Sequence, residues 1–150
     1  MQVTPIGRVS CPRREAIDDD WGDVVSTIAL DNRFGSEALR GLEDFSHLEV
    51  VYVFDQVDEQ ELHTGARRPR GNPDWPEVGI FAQRGKARPN RLGVSRCELL
   101  SVDGLAVTVR ALDAIDGTPV LDIKPYMREF GPRGEVRQPT WSSELMAGYW

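Results

Sequence analysis

Residues 47–57, HLEVVYVFDQV, carry the strongest strand signal in this sequence of 150 residues. Val50 to Phe54 form an unbroken run of three valines, a tyrosine and a phenylalanine, and β-branched and aromatic side chains favour extended backbone. Because the run is apolar on both faces, it predicts a strand at the centre of the hydrophobic core.

Shorter strand signals flank this central strand on both sides. Further strands are predicted for residues 2–10 (interrupted by Pro5), 23–31, 78–84 and 116–127. Residues 94–112 predict a hairpin that turns at Asp103-Gly104. The strands are therefore short and joined by tight turns.

Helical signals are few, and one segment is rich in loop residues. Residues 36–42 predict one or two helical turns with Ser36 as N-cap, and residues 142–150 predict a closing helix. Residues 63–79 hold three prolines and three glycines, which predicts a long loop. Loops of that length in compact domains are more often functional than idle.

The fold class follows from these elements and from what is missing. No stretch has a 3.6-residue period long enough for a crossover helix, and neither GxGxxG nor GxxxxGK[ST] occurs, which excludes a Rossmann or P-loop fold. We predict one domain over residues 1–150, mostly β: a small antiparallel β-barrel with one or two short helices.

Charge is distributed unevenly along the chain, whose net charge is −6. Residues 15–61 hold fourteen Asp or Glu and two Arg, whereas residues 67–96 hold seven Arg and one Lys against two acidic residues. This basic island fits two interpretations. It attracts phosphates or another acidic surface, or it pairs with the acidic half of the same chain.

The densest part of the island is FAQRGKARPNRLG, residues 81–93. Arg84 and Arg88 can direct planar guanidinium groups toward a carboxylate or phosphate, while Pro89 stiffens the backbone and Gly93 permits close approach. The pattern predicts a cradle for a small ligand. The alternative is a solvated, arginine-rich loop.

Other potential sites have weak signals. Cys11 and Cys97 lie far apart without CxxC spacing, which predicts reduced thiols, and His47 and His63 form no HExxH or HxH motif, so no metal is predicted. The acidic run at 18–20 fits a cation site and a solvated loop equally well.

The sequence begins without a signal-peptide pattern and has no membrane-length apolar run, which predicts a cytoplasmic protein with no membrane partner.

Three stretches together resemble a known family. GLEDFSHLEVVYVF (41–54), GIFAQRGKARPNRLG (79–93) and LDAIDGTPVLDIKPY (112–126), in this order, closely resemble the TrmO family of S-adenosylmethionine-dependent methyltransferases. The likeness runs from Ile6 to about Tyr126. It implies a non-Rossmann, mostly antiparallel β-barrel that works as a homodimer and methylates the exocyclic amine of a modified adenosine beside the anticodon of tRNA.

The resemblance also implies a binding site for S-adenosylmethionine. Arg84 is expected to bind its carboxylate, and Asp116 and Asp55 its positive end. Without the resemblance, Asp116-Gly117 is an ordinary tight turn. The expected cofactor-binding residues are Pro12, Arg13, Arg14, Asp55, Gln56, Arg84, Arg88, Asn90, Leu92, Gly93, Val94, Ile115, Asp116, Gly117 and Thr118.

The chain departs from the family pattern at two places. The usual loop is roughly RSPxRPNPIG, whereas this chain has RGKARPNRLG, with Gly85-Lys86 for Ser-Pro and Arg91 for the second proline. Asp55-Gln56 stand where family members commonly have His-Gln. We therefore predict a divergent branch that methylates tRNA. The alternatives are a methyltransferase for a small molecule and a non-enzymatic barrel that binds S-adenosylmethionine or nucleic acid. No catalytic base is predicted, since alignment can supply much of the rate.

Overall fold

Six antiparallel strands close into one barrel in the computed structural model, which describes residues 2–150. Around the barrel the order is β1-β2-β7-β6-β3-β8, and β4 and β5 pair as a separate two-stranded sheet. The strands are β1 (Gly7–Ser10), β2 (Val25–Leu30), β3 (His47–Val53), β4 (Ala66–Arg67), β5 (Val78–Gly79), β6 (Leu92–Asp103), β7 (Ala106–Arg110) and β8 (Pro119–Pro125). The predicted barrel is confirmed.

The core is the inside of this barrel. Along β3, Leu48, Val50 and Tyr52 are buried, and they pack with the inward residues of the other strands. Val51 and Val53 face outward and are half-buried. The strand is central, between β6 and β8, but only one of its faces enters the core because a closed barrel has a single interior.

Alternating strand directions place the connections at two ends of the barrel. The register pairs Ser10 with Thr27, and Val53 with Leu92, so the end of each ascending strand lies beside the start of a descending one. One end, here called the loop end, carries the connections 11–24, 54–91 and 111–118. The other, the hairpin end, carries residues 31–46, the turn at 104–105 and the chain after β8.

The hairpin end contains two of the predicted turns. Gly104, with a φ of +59°, closes the β6–β7 hairpin at the predicted position. Residues 36–42 form 3₁₀ turns at Ser36–Leu39 and Leu42–Asp44, which Gly41 separates with a φ of +82°. The predicted N-cap is wrong, because Gly35 occupies that position and no side chain caps the turn.

Three predicted elements are shorter than expected. The first strand begins at Gly7, beyond Pro5. Residues 78–84 form only β5 and a 3₁₀ turn at Ile80–Ala82, because the Gln83 N–H bonds back to the Ile80 carbonyl instead of to a strand. The closing helix, α1 (Thr140–Leu145), ends before the last residues, whose carbonyls pair with the backbone of residues 20–21.

Both cysteines are free thiols, as predicted. Burial, together with the nearby charge of Asp113, raises the pKa of the Cys97 thiol to about 12. Within residues 2–150 no helix has the length and apolar character needed to cross a membrane.

Candidate functional site

The predicted site residues all lie at the loop end. Pro12, Arg13 and Arg14 follow β1, and Asp55 and Gln56 follow β3. The remaining ones belong to two segments, residues 84–94 and residues 115–118. Segments far apart in the chain therefore meet because the ends of β1, β3 and β7 point the same way.

The first wall of the site joins residues 12–14 to residues 115–118. The Asp116 N–H donates to the Arg13 carbonyl (2.8 Å), and the Asp116 Oδ1 accepts from the Cys11 N–H (3.2 Å). The Arg14 Nε lies 3.8 Å from Asp116 Oδ2, and Gly117 has a φ of +83°. The Asp116 carboxylate and N–H thus hold the two segments together, and its expected role at the ligand's positive end stays a prediction.

Arg13 is likewise used within the protein. Its guanidinium stacks over the Trp21 ring, 4.2 Å from the ring centroid, and its two Nη atoms donate to the carbonyls of Asp19 (2.7 Å) and Asp20 (2.9 Å). These contacts hold the two ends of the β1–β2 connection together. Pro12 and Arg14 stay exposed.

The second wall is the turn that leads into β6. The Arg84 Nη2 donates to the Val94 carbonyl (2.7 Å), and the Arg88 Nη1 donates to the Gln83 carbonyl (2.9 Å). Arg84 is exposed and keeps further donors for a ligand, whereas Arg88 is half-buried and braces the loop. The Phe54 N–H bonds to the Arg91 carbonyl, which places Asp55 and Gln56 beside this wall.

Backbone strain concentrates at the loop end. In residues 2–150, five residues other than glycine have positive φ values, and all five lie in the loop-end connections: Asp20, Arg70, Asn90, Arg91 and Ala111. L-residues adopt this conformation at a cost, and such strain clusters at functional sites. The consecutive pair Asn90 and Arg91, with φ values of +63° and +53°, sets the turn of the second wall.

A buried polar network that the sequence did not predict lies between the walls. The Tyr52 hydroxyl is within hydrogen-bond distance of the Asp113 carbonyl (3.0 Å) and Oδ1 (2.9 Å), and the Tyr149 hydroxyl donates to Asp113 Oδ2. Tyr52 could have been read as inward from its place in the central strand. No local pattern marks Asp113 or Tyr149.

The network also connects the second wall to the first. Burial raises the pKa of Tyr52 and of Tyr149 above the usual value, and the Asp113 charge raises both further. Gly93 of the second wall lies directly against the Tyr52 ring, which places this wall beside the network. Since Asp113 precedes residues 115–118, both walls border the same region.

Four of the predicted residues direct no side chain into the region between the two walls. Gly93 faces inward, where an added Cβ would lie 2.3 Å from the Tyr52 ring, so this glycine makes room for Tyr52. Leu92 and Val94 point out of the barrel and are 41% and 43% exposed. Thr118 is buried, with 4% exposure. These four residues can border a ligand chiefly through their backbone.

The polar groups at the loop end suit a ligand that carries both a positive and a negative charge. Arg14 and Arg84 are exposed cations, Asp55 is an exposed carboxylate, and residues 92–94 and 115–118 offer backbone groups. Methyl donors of the sulfonium nucleoside type carry a carboxylate, positive groups and an adenine edge, so the chemistry fits.

A family model described as the tRNA-methyltransferase O N-terminal domain matches residues 8–131. The chain belongs to this family. Among members of the tRNA-methyltransferase O family, the Escherichia coli K12 protein named tRNA (adenine(37)-N6)-methyltransferase is 44% identical over 126 residues, covering 80% of this chain and 52% of that protein. An S-adenosyl-L-methionine-binding protein of Archaeoglobus fulgidus is 35% identical over 133 residues, with 86% and 91% covered.

Solved structures agree with this membership. The crystal structure of TrmO from Pseudomonas aeruginosa superimposes with a TM-score of 0.73 at 29% identity, covering 91% of this chain and 60% of that one. The chain therefore spans 52% and 60% of the length of these two bacterial relatives, and nearly the whole length of the archaeal relative.

Proposed function

We propose that this chain binds S-adenosylmethionine at the loop end and methylates the exocyclic N6 amine of an adenosine in the tRNA anticodon loop. The observation that carries the proposal is the meeting of all the expected cofactor-binding residues at one end of the barrel, in a chain whose relatives bear the names given above. The methyl donor supplies an electrophilic methyl group on a sulfonium, and the protein's part is alignment.

The residues of the two walls take separate roles in this proposal. Arg84 binds the carboxylate with the donors left free by its bond to Val94, and Asp55 faces the positive end. Asp116 is a positioning residue. Its carboxylate bonds to the Cys11 N–H and its N–H to the Arg13 carbonyl, so it joins the two segments of the first wall. The backbone of residues 92–94 borders the adenine.

A protein with a net negative charge needs a local basic surface to bind the phosphates of RNA. Residues 67–91 hold six of the arginines and one lysine, and they lie in the β3–β6 connection beside the second wall. Phosphate contacts from this connection make tRNA affinity fall steeply with salt. We propose that the protein acts in the cytoplasm, which a tRNA substrate supports.

We further propose that the chain forms a homodimer through the outer face of β3 and β6. Leu92 and Val94 are exposed there and pair across the strands with Val53 and Val51, so four aliphatic side chains form one patch. Leu92→Asp is expected to yield a monomer by analytical ultracentrifugation. Leu100→Asp is the matched control, since this leucine is 38% exposed on the same strand, far from the patch.

The decisive experiment combines cofactor binding with methyl transfer. Calorimetry with S-adenosylmethionine is expected to give saturable binding, and labelled methyl groups are expected to appear in tRNA. Cofactor binding without transfer to tRNA, but with transfer to a small acceptor, would favour a small-molecule methyltransferase, which the net charge of −6 does not oppose. Binding without transfer to either would leave a non-enzymatic binding barrel, and no binding would overturn the proposal.

A further inference from the structure

A second cavity lies on the outer side of the second wall. Its volume is about 560 Å³, and its polar lining comes from Gln60, Glu61, His63, Arg67 and Lys86. It adjoins the wall directly, because the His63 N–H bonds to the Ala87 carbonyl (3.1 Å), and Lys86 is two residues from Arg84. None of these lining residues belongs to the proposed cofactor site.

Arg67 is held at this cavity without an acceptor. Its Nε is buried and has no hydrogen-bond partner within the described chain. The guanidinium packs so closely on Gly85 that a Cβ there would lie 2.8 Å from Nη2. The Gln83 side chain donates to the Arg67 carbonyl (3.0 Å), which fixes the backbone beneath it. A buried donor without a partner is unfavourable, so Arg67 is stabilised when its side chain shifts to meet an acceptor in the cavity that it lines.

The charges around the cavity favour an anion. Among residues 2–150, Arg67 and Lys86 have no carboxylate within 4.0 Å. Glu61, the one carboxylate of the lining, is occupied by capping, since its Oε2 accepts from the Asp58 N–H at 3.3 Å. His63 adds a further ring nitrogen. A guanidinium beside an ammonium is the donor set typical of phosphate sites.

We propose that this cavity binds a backbone phosphate of the RNA whose adenosine occupies the neighbouring site. The identity of the phosphate as part of RNA rests on the proposed function; the anion site itself rests on Arg67 and Lys86. Phosphate contacts fix register and orientation on a nucleic acid without reading its sequence. The cavity therefore positions the substrate, and the residues at the loop end bind the cofactor.

The test compares the salt dependence of tRNA affinity in three proteins: the wild type, Arg67→Gln/Lys86→Gln, and the control Arg40→Gln/Lys124→Gln. The control removes the same two charges at the far side of the barrel, near the hairpin end.

Losing one phosphate contact is expected to weaken tRNA binding about tenfold and to lower the slope of log affinity against log salt by about 1. Calorimetry with S-adenosylmethionine should give equal affinities in all three. Lys86→Gln alone changes only an exposed side chain, and it should shift the slope in the same direction.

Equal slopes in the cavity variants and the control would overturn the phosphate site even if the wild type methylates tRNA. A second arm titrates inorganic phosphate while NMR follows the Arg67 Nε–Hε signal, which is expected to shift. If phosphate moves this signal in a wild type that binds no tRNA, the anion site stands and its RNA source is wrong. If cofactor binding is also absent in that protein, the proposed function fails separately.

Discussion

The two ends of the barrel share one core but differ in their connections. The hairpin end closes with the turn at 104–105 and with 3₁₀ turns, and it carries an apolar groove of about 420 Å³ lined by residues such as Phe34, Leu42 and Ile123. The loop end carries three longer or strained connections, unpaired cations and the Asp113 network.

The two ends differ in chemistry and backbone geometry rather than in cavity size, since the cavity beside the second wall, at about 560 Å³, is larger than this groove. A large apolar groove is the usual first choice for a binding site. Here the strained residues other than glycine, the convergent polar groups and the residues expected to bind the cofactor lie at the opposite end. Such strain persists only where the surrounding structure holds it in place, and it clusters at functional sites, so it supports the loop end as the candidate site.

The largest effect is expected where the loop end meets the shared core. Gly93→Ala places a Cβ 2.3 Å from the Tyr52 ring, which is 1% exposed and cannot move freely. We expect a loss of about 3 kcal/mol in the free energy of unfolding, or about 10 °C in Tm, by thermal denaturation. Gly79→Ala, with open space around its Cβ, is the control and should change little. Equal melting temperatures would mean that Tyr52 does not pack on Gly93.

The next effect separates the two ends by ligand binding. Arg84→Ala is expected to weaken S-adenosylmethionine binding about tenfold, because a charge-assisted hydrogen bond to the carboxylate is lost. Arg40→Ala removes the same charge at the hairpin end and should leave calorimetric affinity unchanged. A loss of affinity in Arg40→Ala, with none in Arg84→Ala, would exchange the roles of the two ends.

Smaller effects on stability and cofactor affinity are expected from the Asp116 contacts that connect the two segments of the first wall. Asp116→Ala removes the acceptor of the Cys11 N–H, and we expect stability to fall by about 1 kcal/mol and cofactor affinity to fall several-fold. Asp122→Ala is the control, since its carboxylate accepts from the Ile123 N–H (3.0 Å) within β8, toward the hairpin end. Chemical denaturation and calorimetry distinguish the two. The positioning role is refuted if both variants bind the cofactor as the wild type does.

The smallest effect comes from the Asp113 network. At neutral pH its tyrosines change the unfolding free energy little with pH, and the change becomes measurable at alkaline pH. Unfolded tyrosine ionises near pH 10, and the folded pKa of Tyr52 and Tyr149 is higher, so the native state holds more protons above pH 10. Their contribution to stability is complete below pH 10 and is lost as pH rises beyond it. Tyr149→Phe should make the alkaline decline in unfolding free energy shallower. An unchanged decline would place Tyr149 outside the network.

Much of the fold could be predicted because it depends on local patterns. The central strand β3 forms where it was predicted, although only one of its faces enters the core, the hairpin turns at Gly104, and Gly117 has the positive φ expected of a tight turn. The strand predicted for residues 78–84 failed for a nonlocal reason. β5 finds only the two residues of β4 as a partner, and propensity cannot report the absence of a neighbouring strand.

The site was predicted as a set of segments, largely through family resemblance, but not as an arrangement. Sequence could not reveal that Asp116 joins two segments or that Gly93 serves Tyr52. Nor could it reveal the network of Tyr52, Asp113 and Tyr149, whose members are nearly a hundred residues apart at the extremes.

By itself the sequence determined short strands, turn positions and the motifs of the family, because periodicity, glycine conformations and residue chemistry act over a few neighbours. Only the tertiary structure decided which connections share an end. The strand order β1-β2-β7-β6-β3-β8 places strands side by side that are distant in the chain, and hydrogen bonding between them, rather than any local preference, brings the walls of the site together.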